Sequence, residues 1–181
     1  MKRFFLAVFM AIFSVGAFAQ FEMDTKYVNI SLSGLNMSYS KNEKFNLGLN
    51  AMAGYFLDDD VMLYGRFNYE YSYHLGDNHA WALEAGSRYY IRQNGLYLGL
   101  GLKYGYNYSY DEISTSTPGG DPATAWRRSS HNNLYLTPEV GYCFYLNHYL
   151  SIEPALYYDM SLNHFSDFSK VGFRIGAGFY F

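Results

Sequence analysis

Residues 95–110 read GLYLGLGLKYGYNYSY. Leu96, Leu98, Leu100, Leu102, Tyr104, Tyr106, Tyr108 and Tyr110 share one parity. Tyr97, Gly99, Gly101, Lys103, Gly105, Asn107 and Ser109 share the other. Successive side chains of an extended chain point to opposite faces, so this is a two-faced strand, and no helical stripe can be cut from it. Seven other segments carry the same period, and it predicts strands over 26–40, 43–57, 61–75, 79–92, 95–110, 133–146, 149–162 and 169–181. The first is the least regular. Val28, Ile30 and Leu32 lie on one parity and Leu35, Met37 and Tyr39 on the other. A bulge near Ser33-Gly34 would reconcile them.

The connections alternate in length. Leu57-Asp58-Asp59-Asp60, Arg92-Gln93-Asn94-Gly95 and Leu146-Asn147-His148-Tyr149 read as tight turns. Lys41-Asn42-Glu43, Gly76-Asp77-Asn78, the stretch 111–132 and the stretch 163–168 occupy the opposite end of an up-and-down array. Residues 111–132 are rich in Ser, Thr, Pro and Gly and read as a long loop. Short turns at one end and longer loops at the other are the asymmetry of outer-membrane barrels.

The first residues read as a processing signal. Lys2 and Arg3 precede an apolar run from Phe4 to Phe13, and Ala17-Phe18-Ala19 fits a small-x-small cleavage site. The expectation is a signal peptide over 1–19 and one barrel domain over 20–181. Lys and Arg total 13 against 16 Asp and Glu, and Lys2 and Arg3 fall in the leader. The resulting acidic excess argues against nucleic acid as a partner. A single cysteine, Cys143, excludes an internal disulfide framework.

Which parity faces out decides between a water-soluble and a membrane barrel. The polar parity carries Arg66, Glu70, Glu84, Arg88, Lys103, Glu139, Glu153, Asp159 and Arg174, together with most of the strand glycines. A surface facing water would carry many more charges, and Gly would weaken it. Inside a narrow barrel Gly makes room for long neighbours. The apolar parity of strands two to eight holds no charge, a purity that lipid demands, since Lys or Arg at mid-bilayer costs about 2–4 kcal/mol. Tyr gathers toward one end of the third and fifth strands, as expected at the headgroup level. The fold expected is all-β, an eight-stranded antiparallel up-and-down transmembrane β-barrel. The nine charged residues are expected to pair inside the lumen, because a buried charge left alone costs several kcal/mol.

The chain ends VGFRIGAGFYF, with Phe173, Ile175, Ala177, Phe179 and Phe181 on one parity. In pattern rather than residue identity, 20–181 resembles the small eight-stranded outer-membrane barrels of Gram-negative bacteria, the outer-membrane protein A and X types. The aromatic-ended last strand is its most specific piece. The resemblance implies an outer-membrane location, and implies that Phe173, Ile175, Phe179 and Phe181 form the signal read by the barrel-assembly machinery. The function expected is non-catalytic, structural or surface-interacting through external loops, and the chain is expected to be a monomer.

Other chemistries are thinly supported. A narrow pore for water or small ions would use the same charged lumen. His164 and Ser166, two apart, resemble the His-x-Ser core of lipid A deacylases, but no Glu follows Glu153 to orient the His. The five histidines show no metal-ligand spacing, and neither metal nor cofactor is expected. Trp126, Arg127 and Arg128 have binding character: Arg pairs with phosphate in two-pronged fashion, so contact with lipopolysaccharide is the expectation there.

Overall fold

The computed structural model describes residues 23–33, 46–73, 77–91, 94–115, 123–163 and 169–181. The processing signal over 1–19, most of the irregular stretch after Ser33, and His164 and Ser166 lie outside the described residues. Eight antiparallel strands form the wall: β1 (Lys26–Ser33), β2 (Asn46–Asp58), β3 (Val61–Tyr73), β4 (Asp77–Tyr90), β5 (Leu96–Thr115), β6 (Ala123–Tyr142), β7 (Leu150–Ser161) and β8 (Lys170–Tyr180). After an interruption at Cys143, β6 resumes for two residues, Phe144–Tyr145. Each strand pairs with the next, and β8 pairs with β1, so the sheet closes into a barrel.

One expectation is corrected. The stretch 111–132 is not a long loop. β5 and β6 pair continuously from Leu96↔Tyr142 out to Thr115↔Ala123, which leaves only 116–122 as the connection. Cross-strand pairing overrode a loop-like composition. Trp126, Arg127 and Arg128 therefore stand on β6, in register with Glu112, Asp111 and Tyr110.

The turns between β2 and β3 and between β6 and β7 are tight. Asp58 caps the first by accepting the Asp59 N–H at 2.9 Å, and Asn147 caps the second by accepting the Tyr149 N–H at 2.8 Å. Gly95 opens β5 at φ 90°, a conformation that disfavours a side chain, and its carbonyl accepts the Cys143 N–H at 2.8 Å. Both described chain ends meet at this end of the barrel. Phe181 N–H donates to the Lys26 carbonyl at 3.0 Å, and Lys26 N–H donates to the Phe181 carbonyl at 2.8 Å.

Register fixes the tilt. From Gly141 of β6 the aligned partners run Ala155, Arg174, Ser33, Gly48, Glu70, Ala80 and Asn107, and return to β6 at His131, ten residues from the start. With a rise of ~3.3 Å per residue and strands ~4.7 Å apart, that stagger tilts the strands by about 40°. An eight-stranded barrel of this kind has an interior just wide enough for side chains to fill.

The two faces separate as the alternation requires. Leu98, Leu100 and Leu102 are each 50% exposed, whereas Tyr97 is 0% and Lys103 6%. The outward band of Leu, Ile, Val and Phe continues through Ile30, Leu49, Phe67, Leu83, Leu156 and Ile175. Tyr69, Trp81 and Tyr104 edge it toward the longer connections, and Tyr55, Tyr89 and Tyr149 edge it toward the short turns. This is the outer surface of a transmembrane barrel.

One joint is thinner than the rest. Between β6 and β7 the ladder lapses at Thr137 and Pro138, breaks again after Gly141↔Ala155 and resumes with Phe144↔Ile152 and Tyr145↔Ser151. Leu162 N–H donates to the Leu134 carbonyl, so even-numbered residues of both strands face this joint. Pro138 and Pro154 are even-numbered and lack the N–H the ladder needs there.

Candidate functional site

The lumen is filled in layers, and the register orders them along the axis. At the short-turn end lies an aromatic floor. Tyr27, Phe56, Met62, Tyr90, Tyr97, Cys143 and Tyr180 point inward and are 0–5% exposed. Their rings interlock, with centroids 4.8 Å apart for Tyr27 and Tyr180, 5.3 Å for Phe56 and Tyr90, and 5.5 Å for Tyr90 and Tyr97. Phe56 and Met62 lie on the parity that also carries the charges. The strand alternation alone places them there.

Glu153 sits on this floor and gathers donors from across the barrel. Tyr27 and Tyr180 donate to it, the latter at 2.9 Å, as do Ser151 at 2.6 Å and Arg88 at 3.1 Å. Tyr27 and Tyr180 come from the first and last strands, so Glu153 of β7 braces both sides of the closing joint.

Above it lies the densest cluster. Glu139 accepts from Arg88 Nε at 2.7 Å, from Arg174 Nη1 at 2.9 Å and from Arg66 Nη2 at 3.1 Å. Arg66 also donates to Glu84 at 2.6 Å, as does the Tyr64 hydroxyl at 2.7 Å. All these charged side chains are at most 4% exposed. The guanidinium planes also meet rings: Arg88 lies 4.2 Å from the centre of Tyr97, Arg174 4.5 Å from Tyr157 and Arg66 4.6 Å from Tyr64. A cation over an aromatic face gains about 2 kcal/mol when desolvated.

Toward the long-connection end, Lys103 donates to Asp159, whose other oxygen accepts from Thr137 at 2.9 Å. Higher still, Lys170 Nζ donates to Glu70 Oε2 at 2.5 Å, with side chains 23% and 19% exposed. Lys170 is the residue that sequence reasoning missed. It shares the parity of Arg174 and Gly172, but the strand's edge and the neighbouring loop composition hid it. With Lys170 counted, the described lumen holds five cations, Arg66, Arg88, Lys103, Lys170 and Arg174, and five anions, Glu70, Glu84, Glu139, Glu153 and Asp159. Among the described residues the lumen charges balance.

Glycine makes the packing possible. A Cβ on Gly101 would stand 2.6 Å from Glu84 Oε1 and 2.8 Å from the Tyr64 hydroxyl. On Gly141 and Gly172 it would run into the rings of Tyr97 and Tyr157 from the adjoining strands. Each of these glycines is a notch in the wall occupied by a neighbour's long side chain.

The remaining residues singled out from the sequence fall as follows. Ile175 and Phe179 are outward and exposed on β8, Phe173 is outward and half-buried, and Phe181 is 65% exposed just past the strand. Cys143 is buried, with Sγ 3.6 Å from the Tyr180 hydroxyl.

No protein-family model matches the chain, and no curated protein matches it. Solved structures do. The attachment invasion locus protein Ail of Yersinia pestis is 18% identical, with a TM-score of 0.58 over 88% of this chain and 99% of that one. The outer-membrane protein OprG of Pseudomonas aeruginosa is 15% identical, with a TM-score of 0.58 over 88% and 97%. Neisserial surface protein A is 14% identical, with a TM-score of 0.53 over 86% and 94%. The chain has the fold of the small eight-stranded outer-membrane β-barrels.

Proposed function

We propose that the protein is an integral barrel of the bacterial outer membrane, non-catalytic, with a closed lumen and with its external elements as the working surface. The observation that carries this reading is the filling of the lumen. An aromatic floor lies beneath five cations matched by five anions, and glycine notches seat the side chains that fill the space. An interior so occupied supports the wall rather than a passage. Similar structures include proteins named for attachment and for the cell surface, which favours an outward-facing role.

Orientation follows from the turns. The short connections and both described chain ends belong to the periplasmic side, and the long β5–β6 hairpin belongs to the outside. The outward Phe173, Ile175 and Phe179, with the terminal Phe181, are the segment offered to the assembly machinery. Epitope tags test the arrangement. A tag within 116–122 should be reached by antibody on intact cells, and a tag at Asp59-Asp60 only after the outer membrane is opened. The reverse pattern, or cytoplasmic retention of both, would defeat the reading.

A further inference from the structure

The lumen changes character above the Glu139 cluster. In that cluster Arg66, Arg88, Glu84 and Arg174 are 2–4% exposed. One level further out, Asn68 and Lys103 are 6% exposed, Tyr135 7% and Ala82 9%, and Ala80 is half-buried. At the mouth the Lys170 and Glu70 side chains keep 23% and 19% of their surface. Exposure thus falls from the mouth inward and ends at the level of Lys103. The outer half of the lumen is a blind well.

Register shapes one wall of this well. Asn68 of β3 aligns with Ala82 of β4, Ala82 with Gly105 of β5, and Gly105 with Asn133 of β6. All four residues point inward. Two amides therefore stand at the ends of a row whose middle carries no more than a methyl group. Three strand spacings of ~4.7 Å put about 14 Å of wall between their backbones. Tyr135 lays its ring along the row. A Cβ on Gly105 would stand 3.2 Å from Tyr135 Cε2 and 3.8 Å from Ala82 Cβ.

Three buried polar atoms around this row have no hydrogen-bond partner among the described residues. They are Asn68 Nδ2, Asn133 Nδ2 and Oε2 of Glu84, the next inward residue of β4 below Ala82. Their residues are at most 6% exposed. The neighbouring Asn50 differs, since its Nδ2 donates to Ser33 Oγ at 3.1 Å. Buried polar groups are nearly always satisfied in native proteins, and each exception calls for an explanation. Two open donors and one open acceptor at one place call for a group that both accepts and donates.

The charges narrow the choice. Lys103 is held by Asp159, and Lys170 by Glu70. No net charge remains at this level to draw an ion. A carboxylate here would lie beside Glu84, and an ammonium would bring nothing for the amide donors to bond. Hydroxyl groups suit both kinds of open atom. The C–H face of a saturated ring suits the ring of Tyr135.

We propose that the outer half of the lumen is a binding well for a neutral, hydroxyl-rich ligand about the size of one sugar ring. The ligand seats on Ala82 and places its hydroxyls on Asn68, Asn133 and Glu84. Because those three atoms are covered in the free protein, the Tyr135 ring must swing off the row to admit it. The proposal rests on the closed lumen above only for the bottom of the well.

The test uses the full protein in phospholipid nanodiscs, with methyl α-glucoside as the probe and side-chain amide NMR as the readout. The probe should shift the Asn68 and Asn133 signals saturably at millimolar concentration and leave that of Asn50 in place. Asn68→Leu, read at Asn133, should weaken binding at least tenfold. Ala82→Met fills the well and should abolish binding, while Leu83→Met on the lipid face should not. Glucuronate, which brings a carboxylate toward Glu84, should bind at least tenfold more weakly, as should cyclohexanol with its single hydroxyl. Unchanged heat-dependent gel mobility verifies folding. Where Ala82→Met does not fold, Asn68→Leu and the two analogues decide. Unshifted Asn68 and Asn133 signals even in tenth-molar probe would mean that the open atoms hold water only, and would overturn the proposal. So would undiminished binding to Ala82→Met, equal binding of the glucoside and cyclohexanol, or a shift at Asn50 as large as at Asn68. Conductance and tag accessibility report separately on the closed lumen and the surface role, so failure of the well and failure of that reading are distinguishable.

Discussion

The cluster around Glu139 and the pair of Lys170 with Glu70 use the same ionic chemistry at two depths. Glu139 is surrounded by three guanidiniums and no exposed side-chain surface, whereas Lys170 and Glu70 keep about a fifth of theirs. Water reaches the upper pair and screens it. In the lower cluster the partner charges, the Tyr64 hydroxyl and the rings over the guanidiniums replace water. The lesson is that a lumen charge matters in proportion to what is left stranded when its partner goes, not to the number of ion pairs drawn.

The largest effect should come from Glu139→Ala. It strands Arg174 in a dry interior and takes one of two carboxylate partners from Arg66 and Arg88, which keep Glu84 and Glu153, and should cost about 5 kcal/mol, the upper end of the ~3–5 kcal/mol range for breaking a buried pair. Urea unfolding in lipid vesicles measures it, and a loss under about 1 kcal/mol would erase the contrast between the two depths. Lys103→Met, which leaves Asp159 with Thr137 alone, should cost about 3 kcal/mol. Adding Asp159→Leu should return most of that, because removing both partners strands neither. No recovery in the double variant would show that packing, not charge, governs this level. Gly101→Val should cost about 1–3 kcal/mol by overfilling the notch that Glu84 and Tyr64 occupy. Lys170→Met should be the mildest, about 1 kcal/mol or less, as for exposed pairs. A cost for it matching that of Lys103→Met would place the two pairs in the same environment.

The wall was legible in the sequence because alternation is a local signal. Leu98, Leu100 and Leu102 against Gly99, Gly101 and Lys103 define both faces without any knowledge of neighbours. The contacts were not legible. That Glu139 meets Arg66 across the lumen depends on the stagger of the closed sheet, a property of all eight strands together. The aromatic floor stayed hidden because Tyr suits both a lumen and a membrane interface. Tyr90 and Tyr97 declare themselves only by parity and by their level in the barrel. The length of β5 and β6 is not legible because Ser, Thr, Gly and Pro mark loops in isolation, while here each strand supports the other from Tyr110↔Arg128 to Thr115↔Ala123. Lys170 is hidden for a similar reason: it is the first residue of β8, where the neighbouring loop composition blurs the strand end.

A lumen filled in this way, as proposed above, leaves ions no path. Planar-bilayer recording of the purified protein tests it most directly. No steady conductance is expected from the native chain. Conductance should appear when Tyr90→Gly and Tyr97→Gly thin the floor together with Glu139→Ala. A large, steady conductance from the unmodified protein would contradict it.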